Sequence, residues 1–232
     1  MSNIKIIVAG NSHGINIPLT PMHETYFSDI THDKDNIDKY NPYFCELTGL
    51  YYGWKNIVKD EDIVGFEQRK RTFRLSENDI KEKLKSNDII VHSSTFDSNC
   101  MYQVTLAERF MSNNGICCGC LKTQLFDILD VIHTHYPNMY NDAITILNNN
   151  WHYRHNMFIT TRKIFNSYCE WLFDLLLNKC DLTKYTVVNR SIAHLAELLL
   201  FTLWVQSNHL ITCNPPVYSY LDNGRITKNT LE

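Results

Sequence analysis

Four cations stand between positions 69 and 74, as Arg69, Lys70, Arg71 and Arg74 of the stretch FEQRKRTFR. Arginine carries a planar fork that grips two phosphate oxygens at once, so such a run at the end of a strand is suited to a ligand phosphate; otherwise it is a solvated face. A lone acid, Glu197, interrupts the apolar run HLAELLLFTLW. A carboxylate there must be paired, or must face a cleft where burial raises its pKa toward the range of a general base. The third feature is ELTGLYYGWKN, Glu46–Asn56, helical in pattern yet holding Gly49 and Gly53. Each glycine costs ~1 kcal/mol in a helix interior relative to alanine. Leu47, Leu50, Tyr51 and Trp54 form one helical stripe, and Glu46, Gly49, Gly53 and Asn56 form another. The small stripe admits either a neighbouring backbone or a flat ligand.

Metal chemistry has weaker support. Asp33-Lys34-Asp35 lies in a loop and Asp60-Glu61-Asp62 precedes a strand, so neither has the strand-end context of a diphosphate-metal pair. The pairs His133/His135 and His152/His155 are isolated, and Cys117, Cys118 and Cys120 lack a second pair at zinc spacing. In a chain without a secretory pattern, its eight cysteines read as reduced thiols. No GxxxxGK and no GxGxxG occurs, which argues against ATPase and dinucleotide sites.

The elements that must position these residues follow from periodicity. Ile4–Ala9 is a short β-branched run opening into Gly10-Asn11-Ser12-His13-Gly14, a buried strand feeding a crest loop. Further strands are predicted at Ile63–Phe66, Asp88–Val91 and Met157–Thr160, and a long loop over 20–41. Ser76, with Asp79 three residues on, marks a helix start. Arg162–Lys179 and Ile192–Val205 carry the apolar faces of core helices. Strands alternating with helices predict an α/β fold with an open, mostly parallel, Rossmann-like sheet flanked by helices and a helix-rich C-terminal half. In such a sheet, ligands bind beyond the carboxyl ends of the strands. The 232 residues read as a single domain, with 1–100 as the nucleotide-binding half and 101–232 as the acceptor side. Hydrophobic residues at 44% support a core, and a net charge of -3 gives no general attraction to nucleic acid. No apolar run spans a bilayer and the start is no signal peptide, so the expected location is cytoplasmic, with membrane contact limited to the periphery.

In order, the blocks NPYFCELTGLYYGWKN, VGFEQRKRTF, NDIIV, HNMFITTRKIFNSYCEWLFDLL and HLAELLLFTLW resemble the capsular and exopolysaccharide biosynthesis family, long labelled a domain of unknown function and regarded as glycosyltransferases. The likeness runs from about Lys5 to Trp204. It implies a GT-A-like fold and transfer of a sugar from a nucleotide donor, UDP-linked by first choice, to a glycan or lipid-linked oligosaccharide acceptor. It implies donor contacts from Asn11, His13, Glu46, Thr48, Tyr51, Lys55, Lys70, Arg71 and Asn156, with Gly49 and Gly53 keeping the helix surface low beside the donor. If the anomeric centre inverts, one carboxylate must act as base. Glu197 is the first choice, on the acid of the family's Ala-Glu-Arg-Leu block, and Glu67 the second. Mn²⁺ or Mg²⁺ on the diphosphate is compatible with this reading, with no protein ligands assigned. Where the family reads close to His-Tyr-Arg-Arg-Tyr-Phe, this chain has Gln68-Arg69-Lys70-Arg71-Thr72-Phe73, and Leu198 replaces the arginine after Glu197. These departures mark a divergent member and keep a second class in view, a nucleotide-sugar or glycan-binding module without turnover.

Overall fold

The computed structural model describes residues 3–11, 13–95, 105–111, 122–186, 188–222 and 225–229. The cysteine cluster at 117–120 lies outside them. The first half contains β1 (Ile4–Gly10), β2 (His23–Phe27), α1 (Asn41–Phe44), α2 (Glu46–Tyr52), β3 (Ile63–Gln68), β4 (Arg71–Thr72), α3 (Glu77–Lys83) and β5 (Ile89–Thr95). The second contains α4 (Leu106–Met111), α5 (Lys122–His135), α6 (Pro137–Leu147), β6 (Trp151–Thr161), α7 (Arg162–Asp174), α8 (Ser191–Leu195), α9 (Phe201–Ser207), β7 (Thr212–Cys213), β8 (Val217–Tyr220) and β9 (Ile226–Asn229). The Ser76 start signal is realised as a capping box, with the Ser76 hydroxyl accepting from the Asp79 backbone and the Asp79 carboxylate from the Ser76 backbone.

The sheet is mixed, which corrects the mostly parallel expectation. β1 runs parallel to β2 and β3, and β5 to β7, but β3–β6, β5–β6, β3–β4, β4–β8 and β8–β9 are antiparallel. The main path is β7-β5-β6-β3-β4-β8-β9, with β1 and β2 branching from β3. An apolar run announces a strand but not its direction, and β6 enters between β3 and β5 from the opposite end. The predicted loop over 20–41 contains β2, whose half-buried HETYF has none of the apolar continuity of β1.

Strand alternation divides the core. Ile7, Val64, Phe66 and Phe158 pack with α2 and α5 through α9 on one face. Ile4, Ile6, Ile63, Ile90 and Ile159 pack with Phe73, Ile80 and Val217 on the other. The two helix glycines belong to the first contact. A Cβ on Gly53 would lie 2.3 Å from Ile7 Cδ1, and one on Gly49 2.8 Å from Tyr26 Cδ1 and 3.1 Å from Ala9 Cβ. The small-residue stripe therefore seats α2 on β1 and β2, and does not keep space for a donor. The core-stripe residues behave as expected at Leu47 and Leu50, both fully buried.

Candidate functional site

A cleft of about 490 Å³ opens beyond the carboxyl ends of β1 and β3. Its floor is Ala9, Gly10 and Asn11, its walls are Asn41, Cys45 and Glu46 on one side and Gln68–Arg71 on another, and Asn189 and Arg190 close it from the segment before α8. Arg69, Lys70, Arg71 and Arg190 thus converge, with Glu46 as the acid among them.

The β3–β4 turn that carries the cations is held from several sides. Arg69 N–H donates to Ala9 O at 2.9 Å, and Arg69 O accepts from Asn16 N–H at 2.8 Å. Lys70 pairs with the exposed Asp222 at the rim. Gln68 Nε2 donates to His155 O at 2.7 Å, while its Oε1 accepts from Arg71 Nη1 at 2.8 Å. Gln68 is therefore the link that orients Arg71 against β6, a role that the basic-run pattern does not reveal.

Behind this lining, in contact with Glu46 and Gln68, is a bulge in β6. Val91 pairs with Phe158 and Ser93 with Tyr153, so residues 154–157 face His92 alone. His155 and Asn156 turn back with φ of 69° and 52°, the left-handed region that costs a non-glycine residue about 1 kcal/mol or more. The excursion lets Asn156 Nδ2 donate to Glu46 Oε1 at 3.0 Å and His155 N–H donate to Glu197 Oε1 at 3.0 Å. His155 Nδ1 lies 3.3 Å from the same oxygen, and its ring stacks on His92. Glu197 sits in a π-helical turn, Ala196–Leu200, inserted between α8 and α9; such wide turns recur at functional sites. Cys45 (φ 47°, ψ -122°) and Arg190 (φ 66°) are also strained, so four of the six non-glycine positive-φ residues among the described ones line the cleft or this bulge.

Electrostatics separate the two acids. Burial and then the Glu197 charge push Glu46 up to about 7, against the pull of Asn156 and Arg190. Burial also acts to raise Glu197, but its hydrogen bonds from His155 prevail and hold it well below the usual carboxylate range. Burial, then the His155 charge, lowers His92 to about 4, and burial likewise lowers His155. The Cys45 thiol is pushed up to about 11 by burial and by Glu46, which leaves it protonated and unreactive.

The structure brings together Asn11, Glu46, Arg69, Lys70, Arg71, Asn156 and Glu197 of the residues named from sequence, and adds Asn41, Gln68, Asn189 and Arg190. It does not bring in the rest. Thr48 is fully buried, bonding Cys45 O and Asn41 Oδ1. Tyr51 bonds Asp35 and meets Phe173 edge to face, and Lys55 lies over the Trp54 ring. His13 is exposed in the turn after β1. Glu67 faces the reverse side of the sheet, because β3 alternates and Gln68 takes the cleft side. Arg190, one arginine in a polar loop, reads from sequence only as a structural partner for Glu197, and the structure sets it in the cleft wall.

A divalent cation on a donor diphosphate would have Glu46 as its carboxylate in this lining, with the phosphate oxygens as further ligands. The cleft offers one carboxylate among four cationic side chains, and no group of three or more candidate ligands exists among the described residues. Asp35 and Asp62 are committed elsewhere, to the Tyr51 hydroxyl and the Asn3 backbone.

A mixed sheet under helices, with a polar cleft at its strand ends, defines an α/β fold. The whole chain superposes on 46% of a solved structure titled "WbbM bifunctional glycosytransferase apo structure", with a TM-score of 0.73 and 18% identity. The chain thus spans about half of that protein. Residues 8–209 match the model of DUF4422, described as a domain of unknown function, and the chain belongs to that family. No curated protein matches. No helix among the described residues is long and apolar enough to cross a membrane.

Proposed function

We propose that this protein transfers a sugar from a nucleotide-sugar donor, by first choice a UDP-sugar, to a glycan or lipid-linked oligosaccharide acceptor in surface polysaccharide synthesis. The observation that carries this reading is the convergence of Arg69, Lys70, Arg71 and Arg190 on one cleft at the strand ends of a glycosyltransferase-like fold. The donor diphosphate lies against these cations, which also offset the charge that grows on it as the glycosidic bond breaks. Asn11, Asn41 and Asn189 supply amides for the nucleoside or sugar, and Gln68 keeps Arg71 aimed. The reaction belongs in the cytoplasm, where nucleotide sugars are made, with the acceptor presented from a membrane surface. Glu67 takes no part, since it faces away from the cleft.

The test is a panel of UDP-, GDP- and dTDP-sugars, with and without Mn²⁺, scored for released nucleotide and for transfer to acceptors. Arg71→Met weakens UDP binding by about 10- to 100-fold, the loss of one charge-assisted contact, measurable by calorimetry. The changed segment Gln68–Phe73 favours a second reading, a binding module without turnover. UDP affinity with no turnover of any donor across acceptors selects it.

A further inference from the structure

We infer that Glu46, not Glu197, takes the proton from the acceptor hydroxyl, and that Glu197 is a positioning residue for the β6 bulge. The inference rests on the glycosyl-transfer reading and on inversion at the anomeric carbon. In that step the acceptor oxygen bonds to the anomeric carbon while the bond from that carbon to the diphosphate oxygen breaks. The electron pair leaves on the nucleoside diphosphate, and the hydroxyl proton passes to a carboxylate.

Geometry separates the candidates. Glu46 lines the cleft beside Arg71 and Arg190. Its Oε1 receives Asn156 Nδ2, and its carboxylate also takes the N–H of its own residue, so the group is held in place at the cleft edge. Glu197 is not part of the cleft lining, and its Oε1 already accepts the His155 backbone N–H with the His155 ring at 3.3 Å. That oxygen ties the π-helical turn to the left-handed residues of β6, so removing it releases the bulge that aims Asn156 at Glu46. The surroundings suit the division. Glu46 faces Glu197, Arg190, Arg71 and the Cys45 thiol, with the Tyr168 phenol behind. Their balance, dominated by burial, places its titration at about 7, where a base is half in its working form at neutral pH. Glu197, held ionised by its hydrogen bonds, is a weaker proton acceptor.

The experiment compares Glu46→Gln and Glu197→Gln in the full chain, with the donor that the panel identifies and with UDP as binding probe. Glu46→Gln is expected to lose at least about 100-fold in transfer while binding UDP at least as tightly as the unmodified protein. In the unmodified protein, kcat/KM rises with pH through a limb near 7. Glu197→Gln keeps that limb and moves it to lower pH, because the negative charge that raises Glu46 is gone. A purely structural Glu46 would leave the limb in place in Glu46→Gln. Transfer undiminished in Glu46→Gln, or a limb abolished in Glu197→Gln and retained in Glu46→Gln, overturns the assignment. Absence of UDP binding and of donor cleavage in the unmodified protein overturns the transfer reading and the base with it, so the two failures are distinguishable.

Discussion

On the reverse face of the sheet, Glu67 gives one oxygen to Thr72 Oγ1 at 2.9 Å and Phe73 N–H at 2.8 Å, and turns the other toward His23 Nε2 at 3.4 Å. On the cleft face, Glu46 takes an amide from Asn156 and the N–H of its own residue, and lines the cleft beside Arg71 and Arg190. Both acids sit near the same strand ends, yet one is closed in by its own hairpin and the other borders the cleft. His23 stands behind Glu67, its Nδ1 accepting from Thr20 N–H, while the facing atoms His23 Nε2 and Glu67 Oε2 make no hydrogen bond. The difference teaches what burial alone does not say. A buried carboxylate is a clamp when its neighbours donate hydrogen bonds, and a candidate base when they supply mainly field and desolvation.

The strongest way to break the contrast is Glu67→Ala. It leaves the Phe73 N–H and the Thr72 hydroxyl without their acceptor in the core and costs about 2–4 kcal/mol, read from the urea midpoint. A smaller loss, near that of a surface substitution, would show that the clamp is ornamental. Gly53→Ala comes next. Alanine recovers ~1 kcal/mol of helix propensity, but its Cβ meets three side-chain atoms of the fully buried Ile7, at 2.3, 2.9 and 3.2 Å. The net outcome is a loss of about 2 kcal/mol in thermal or chemical unfolding; a gain would mean that the stripe does serve something other than packing.

The smallest effect has the opposite sign. Glu46 titrates near 7 in the folded chain against an ordinary 4.5, so the unfolded chain sheds this proton first. Stability contributed by the group is therefore full below about 4.5 and falls as pH rises toward 7. Glu46→Gln escapes that fall. It is expected to be more stable than the unmodified protein by about 1 kcal/mol at pH 8, with the gap vanishing near pH 5, in paired melts across pH. Equal stability at both pH values would deny the perturbed carboxylate. Stability gained where activity is lost is what a working acid in a poor solvent should show.

Legibility in the sequence followed the range of the interactions. Ile4–Gly10, the Ser76 cap and the 162–179 helix are local patterns, and each is found within a residue or a turn of its predicted place. The direction of β6 is set by its neighbours, and no local pattern records it. Among site residues, Arg71 and Glu46 carried a signal because charge and glycine spacing drew attention to their segments. Gln68 and Asn189 carried none, being single polar residues whose meaning comes only from what the fold sets across from them, and Arg190 offered itself only as a partner for Glu197. Tyr51 and Lys55 show the converse, since they share a helix with Glu46 but point to another face.

The bulge at His155 and Asn156 has a consequence for how the protein comes to exist in working form. It joins Glu46 to a partner 110 residues away, Gln68 to one 87 away and Glu197 to one 42 away. Contacts of such span close late, because each must first overcome the entropy of a long loop. A nascent chain that has released only its first hundred residues holds Arg69, Lys70, Arg71 and Glu46 but neither Arg190 nor the Asn156 amide that bonds the acid. The contact between Glu46 and Asn156 therefore forms only once β6 has entered the sheet between β3 and β5.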